Sequence, residues 1–133
     1  MLRYFIAAIA IFCTVLGISK ARSEEPTSVT LVDLIANSEK YLDKEVSVMG
    51  YFAVHSNLML FESKAHSESR AYQYTIVVGD YDQMELHRSE CIDKMVEMTG
   101  VFVQWEAGDI SIIGVTRITL VSTGELCWEY EIE

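Results

Sequence analysis

Two hydrophobic periods divide this chain, and the points where one gives way to the other mark its elements. Residues 4–18 form an almost unbroken apolar run, interrupted by Cys13, Thr14 and Gly17. From Thr30 the period is helical. Leu31, Leu34 and Ile35 fall on one face, Thr30 is placed to cap the first turn, and Asp33 sets a negative charge near the positive end of the helix dipole. Turn residues fill positions 37–44, and at Glu45 the period drops to two. Val46, Val48, Gly50, Phe52 and Val54 share one face, with Glu45, Ser47, Met49 and Tyr51 on the other. This predicts a long, half-buried strand with a glycine that lets it bend.

His55, Ser56 and Asn57 turn the chain into a second strand, residues 58–61. Residues 62–70, rich in serine and charge, read as a loop, and a third strand follows over residues 71–78. Residues 80–93 lack alternation and read as a connector with one or two helical turns. Alternation returns over residues 94–105, where Val96, Met98, Gly100 and Phe102 share a face. Residues 106–109 form a hairpin turn and residues 110–121 the fifth strand. A short helix followed by five strands, with a long link between the third and fourth, predicts a mainly β fold: a five-stranded Greek-key barrel of the oligonucleotide/oligosaccharide-binding (OB) kind.

One stretch carries a resemblance. Leu31, Val32, Asp33, Leu34, Ile35, Ala36 and Asn37, followed by the segment from Glu39 through Tyr41, Asp43, Lys44, Val46, Val48 and Gly50 to Tyr51, resemble the opening of small uncharacterised bacterial exported proteins with an OB barrel. In those, a short helix leads through a "Tyr, acid or Gly, Lys, x, Val, x, Val, x, Gly" segment into the first strand. The similarity extends loosely to residues 110–118. It implies a fold and carries over no catalytic residue. The departures are the 62–70 loop and the acidic C-terminal tail, where partner specificity could sit.

The apolar run at the N-terminus changes the picture of where the protein works. Arg3 precedes it, it is shorter than the ~20 residues a bilayer span needs, and it ends in small and polar residues before Glu24, Glu25 and Pro26. Residues 1–23 read as a cleavable signal peptide, cut after Ala21 or Ser23, with a retained anchor as the alternative. Residues 24–28 read as a linker and 29–133 as a single domain. Localisation is then periplasmic or secreted, with no stable membrane anchor after cleavage.

The whole chain has ten basic and twenty acidic residues, a net −10. Cleavage removes Arg3, Lys20 and Arg22 and no acid, leaving seven bases against twenty acids, a net −13. Nucleic-acid binders neutralise phosphates with lysine and arginine, so that partner is disfavoured. Cationic partners or simple solubility suit the charge.

Cys13 leaves with the signal, and Cys91 and Cys127 remain. An even number of cysteines in an oxidising compartment predicts a disulfide. Hairpin geometry agrees. With the turn centred between Ala107 and Gly108, facing residues have numbers that sum to about 215, and the two cysteines sum to 218.

No nucleophile elbow, phosphate-binding glycine loop, zinc-protease motif or dinucleotide fingerprint occurs, so no cofactor is implied. His55, His66 and His87 are scattered and read as surface histidines, with no metal site. His87 and Cys91 have a ligand-like spacing that a disulfide would cancel. The acid clusters Asp80, Asp82, Glu85 and Glu129, Glu131, Glu133 lack the spacing of a calcium loop and read as solvated faces.

The chemistry that remains is aromatic. Tyr51, Tyr72, Tyr74 and Trp105 form the candidate ligand face, where rings stack on bases or sugars in barrels of this kind. Strand aromatics also fill cores, a reading preferred for Phe61 and Tyr74, whereas Tyr51 and Trp105 fall on the outward face. The flanking loops add His55, Asn57, His66, Arg70 and Asp109. The expectation is a non-catalytic binding module with a protein partner, a basic one suiting the negative surface, in an inhibitor or immunity-type role. Glycan or small-molecule binding through the aromatic face is the alternative, and an extracytoplasmic hydrolase a minor one.

Overall fold

The computed structural model describes residues 25–79, 86 and 89–130. In chain order it contains β1 (Thr27–Thr30), α1 (Leu31–Ala36), α2 (Ser38–Tyr41), β2 (Glu45–Val54), β3 (Leu58–Phe61), α3 (Lys64–Glu68), a 3₁₀ turn (Tyr72–Tyr74), β4 (Thr75–Val78), β5 (Lys94–Gln104), β6 (Ile110–Leu120) and β7 (Leu126–Glu129). The predicted signal peptide lies outside the described residues.

Five strands close on themselves. β2 runs antiparallel to β3 and to β5, β3 antiparallel to β4, β4 parallel to β6, and β6 antiparallel to β5. The result is the closed, mixed, OB-like barrel that the alternation of the chain predicts. Closure leaves each barrel strand with two barrel neighbours, and the stretches of β2 and β6 that it leaves unpaired are taken up by β1 and β7. The even-numbered side chains of β2, among them Val46, Val48 and Phe52, point inward and meet Leu60, Ile76, Val96, Met98, Phe102, Ile112 and Ile118. Leu31, Leu34 and Tyr41 from the two helices and Trp128 from β7 join this core.

Thr30 caps α1 as expected, its Oγ1 accepting from the backbone N–H of Asp33 at 3.1 Å. Elsewhere the structure departs from the sequence reading in four places, each where an element is too short to show a period. The segment read as a linker already pairs from Thr27, where β1 lies parallel to β2 and buries Val29. Residues 62–70 are not a plain loop: Ser63 caps α3, its Oγ accepting from His66 N–H at 3.2 Å. The third strand begins at Thr75, because Tyr72–Tyr74 coil into a 3₁₀ turn closed by the Thr75 hydroxyl donating to the Tyr72 carbonyl at 2.8 Å. The region read as an acidic tail contains β7, which folds back antiparallel on β6.

The register of β5 against β6 shifts at a bulge between Thr99 and Val101. A Cβ on Gly100 would sit 2.9 Å from both the Ile113 carbonyl oxygen and Ile112 Cγ1. On the facing strand Gly114 takes φ +56°, a left-handed conformation open to glycine.

Cys91 and Cys127 form the disulfide, with Cα atoms 5.7 Å apart. The route differs from simple extension of the hairpin. Residues 121–125 reverse the chain, with Gly124 at φ +73°, and β7 returns along β6, while Val121 N–H donates to the Met95 carbonyl at 3.0 Å. Cys127 thus reaches the turn before β5 from a strand of its own.

Candidate ligand groove

The outer face of the barrel carries a cross-strand row. Met59 of β3 faces Val77 of β4, and Val77 faces Ser111 of β6. These three side chains line a groove of about 590 Å³. On one side stand Ser56 and Asn57 from the β2–β3 loop; on the other stand Trp105, Gly108 and Asp109 from the β5–β6 hairpin. Tyr72, Gln73 and Thr75 complete it, with Ile35 of α1 at its edge. This is the face, and these are the two loops, with which barrels of this architecture hold extended ligands.

Trp105 is 51% exposed but fixed in place. Its indole N–H donates to Ser111 Oγ at 3.0 Å. Its backbone N–H donates to the Asp109 carbonyl, and its carbonyl accepts from Gly108 N–H, both at 2.8 Å. Gly108 takes φ +89°, and Gln104 Nε2 donates to the Gly108 carbonyl at 3.2 Å. The ring is therefore held at the end of a tight hairpin, with one polar atom satisfied and about half its surface open to solvent.

Tyr72 is 46% exposed and is anchored from behind. Its hydroxyl lies 3.0 Å from His55 Nδ1, and His55 Nε2 lies 2.9 Å from the buried Ser67 Oγ on α3. The imidazole also packs on Phe61, ring centroids 4.7 Å apart, and meets Tyr72 edge-on at 5.6 Å. His55 thus joins the β2–β3 loop, α3 and the groove wall.

The remaining candidates separate. Tyr51, expected on an outward and open face, is 7% exposed, because α3 packs over the outer side of β2 and β3. There it clusters with Ala53, Met59, Phe61 and Val77. Burial pushes its phenol pKa up, with the negative charges of Asp93 and Glu68 adding to the shift. Tyr51 is unavailable for stacking. Phe61 is fully buried, whereas Tyr74, for which the core was preferred, is 50% exposed on the 3₁₀ turn and stands outside the groove.

His66 lies on α3, with Nδ1 2.6 Å from Ser63 Oγ and Nε2 3.5 Å from the Glu62 carboxylate. Arg70 takes φ +57° where the chain leaves α3, and its carbonyl accepts from Tyr72 N–H at 2.9 Å. The structure therefore gathers Asn57, Tyr72, Trp105 and Asp109 around one groove and leaves Tyr51, Tyr74, His66 and Arg70 out of it. His55 supports the groove from behind.

Sequence reasoning missed Ser111, Met59 and Gln73. Ser111 carried a signal, as a small polar residue on the outward face of an otherwise apolar strand start.

A second hollow of about 500 Å³ lies beside the start of β1, lined by Ser47, Glu97, Thr99 and Arg117 among others. Its hydroxyls bond one another: Ser47 Oγ donates to Glu97 Oε1 at 2.8 Å, and Thr99 Oγ1 donates to Ser47 Oγ at 3.3 Å.

Among the described residues, no group of three or more His, Cys, Asp or Glu side chains is placed to hold a metal ion, and no helix is long and apolar enough to cross a membrane. His87, the cluster Asp80, Asp82, Glu85, and Glu131 and Glu133 of the second acid cluster lie outside the described residues. Comparison of the chain with protein-family models, curated proteins and solved structures found no match.

Proposed function

We propose that the protein is a non-catalytic binding module, exported by its N-terminal segment, that holds a positively charged segment of a protein partner in the groove between the β2–β3 loop and the β5–β6 hairpin. The observation that carries this reading is convergence. Asn57, Tyr72, Trp105 and Asp109 come from three separate stretches of chain and line a single groove. Asp109 is the only charged residue among the groove's lining residues, and the chain as a whole is at net −10, so the electrostatics favour a basic partner. The Cys91–Cys127 disulfide suits a compartment that is not reducing. An inhibitor or immunity-type role fits such a module.

One observation favours a second reading, a glycan. The Trp105 indole N–H is bonded to Ser111, so the ring stands as a fixed, half-exposed flat surface, the platform on which a sugar ring stacks.

Affinity capture by the immobilised protein from an envelope extract, at roughly 0.05 M and 1 M salt, separates the two, because the Debye length falls from more than 10 Å to about 3 Å across that range. A retained polypeptide that is lost at high salt and with Asp109→Asn is the expected result. Oligosaccharide binding that tolerates salt and is abolished by Trp105→Ala would replace the protein reading with the glycan one. Retention of neither class would overturn both.

A further inference from the structure

The groove continues beyond Tyr72. Ile35 lines it and also lines an adjoining recess of about 250 Å³ formed with Leu31, Val32, Ala36, Glu62 and Tyr74. The two hollows share one side chain as a common wall, yet their chemistry differs. The groove mixes hydroxyl, amide and indole groups with the apolar side chains of Met59, Val77 and Ile110, whereas the recess is lined by aliphatic side chains, a tyrosine and Glu62.

Leu31 and Ile35 of this lining also pack on the core, but Val32 and Tyr74 do not. α1 directs Leu31 and Leu34 into the barrel, which turns Val32 away from it, 51% exposed. Tyr74 is 50% exposed opposite, its ring edge-on to His66 at 6.3 Å. Charge gives the second clue. Glu62 lines the recess, but its carboxylate lies 3.5 Å from His66 Nε2, so Asp109 is the one charged residue in the two linings with no ion pair to a described side chain.

We propose that recess and groove form one extended site for a cationic peptide segment, in which a single apolar side chain of the partner seats between Val32, Ile35 and Tyr74. From there the chain runs past Tyr72, and a lysine or arginine reaches Asp109 beside the exposed face of Trp105. This inference rests on the protein-partner reading and names its chemistry. The recess holds one branched aliphatic or aromatic side chain, which a free sugar lacks. Asp109 and the net negative charge of the chain select against anionic ligands, and the Trp105 face adds a cation–π contact for the incoming base.

The test is an NMR titration of the ¹⁵N-labelled protein with amidated peptides containing one leucine and one lysine joined by glycine spacers of increasing length. The expected result is shifts at Val32, Ile35 and Tyr74 together with Asp109, strongest at one spacer length. Affinity should fall about ten-fold when leucine is replaced by serine and by a similar factor in Asp109→Asn. Ala36→Phe, which fills the recess at an exposed position, should abolish the shifts around Val32 and keep those around Trp105.

Peptide shifts at Trp105 and Asp109 with none at Val32 or Tyr74 would overturn the anchor while leaving the protein-partner reading standing. Binding of a neutral acyl probe in the recess as tight as the leucine peptide, indifferent to Asp109→Asn, would overturn the peptide assignment. No shift with any peptide, alongside oligosaccharide shifts at Trp105, would overturn this inference and that reading together.

Discussion

Asp33 joins two helices through a single carboxylate. It accepts from the Tyr41 hydroxyl and, at 2.7 Å, from Asn37 Nδ2. The Tyr41 hydrogen bond first, and then the Asn37 bond, hold the Asp33 carboxyl below the usual carboxylate range, against an opposing effect of burial and with help from the Lys40 charge. The same bond pushes the Tyr41 phenol up, with desolvation and the Asp33 charge adding to it. A depressed carboxylate stabilises the fold above its unfolded pKa, and that contribution is lost as pH falls through the folded value. A raised phenol contributes below its unfolded pKa, and its contribution is lost as pH rises through the folded value. Asp33→Asn should therefore lower the melting temperature at neutral pH and lose most of that difference at strongly acid pH. Tyr41→Phe should show the same loss on the acid side. Melting curves of both variants across the acid range check this, and a difference that stays constant down to strong acid would refute it. Gly100 is constrained by contact: a Cβ there would press on the Ile113 carbonyl and on Ile112 at 2.9 Å, and one of these is backbone. Gly100→Ala should destabilise by about 1–3 kcal/mol, read as a lowered urea midpoint.

At the scale of elements, the parts added to the barrel carry much of the interest. α3 follows Ser63, packs on β2 and β3, and supplies the Ser67 hydroxyl that meets His55 behind Tyr72. A five-residue helix cannot hold itself together in water, so its order depends on the cap and on the face it covers. β7 is a strand of four residues that buries Trp128. It is tied covalently to the turn before β5 through Cys127 and Cys91, a loop of 36 residues in sequence separation. In the chain-entropy model such a closure stabilises by about 4 kcal/mol, a large part of the 5–15 kcal/mol typical of a whole domain. Reduction, or Cys91→Ser with Cys127→Ser, should lower stability by roughly that amount. The measurement is the urea midpoint with and without reductant. An unchanged midpoint would show that β7 packing alone suffices.

For the whole molecule, charge and closure bear on the proposed partner. A net −10 distributed over the chain creates a long-range attraction for basic proteins that acts before contact and is screened by salt, which is why the capture experiment is read at two ionic strengths. Closure pairs the barrel strands with one another, so the proposed recognition rests on side chains of the outer face and on the two flanking loops. The strands of this barrel were legible in the chain because apolar residues alternate along β2, β5 and β6 as they do in strands, although β2, expected to be half-buried, is buried on both faces over most of its length. The α1 cap, the hairpin at residues 106–109 and the pairing of Cys91 with Cys127 were legible for similar reasons, since each rests on local residue chemistry or on counting along a hairpin. Tertiary structure alone decided the rest. β1, α3 and β7 have four or five residues each, too few to show a period, and they exist because the barrel offers a strand edge or an apolar face to cover. Tyr51 alternates onto the outward face of β2 and would be open to solvent were α3 not lying on it. Tyr72 and Tyr74 lie two residues apart, yet the 3₁₀ turn sends one to the groove and the other to the recess beside α1. The sequence by itself determined the five barrel strands and their order. Which outward side chains share a groove was decided by barrel closure, because closure brings Asn57, Tyr72 and Asp109 together across stretches of chain that no local pattern links.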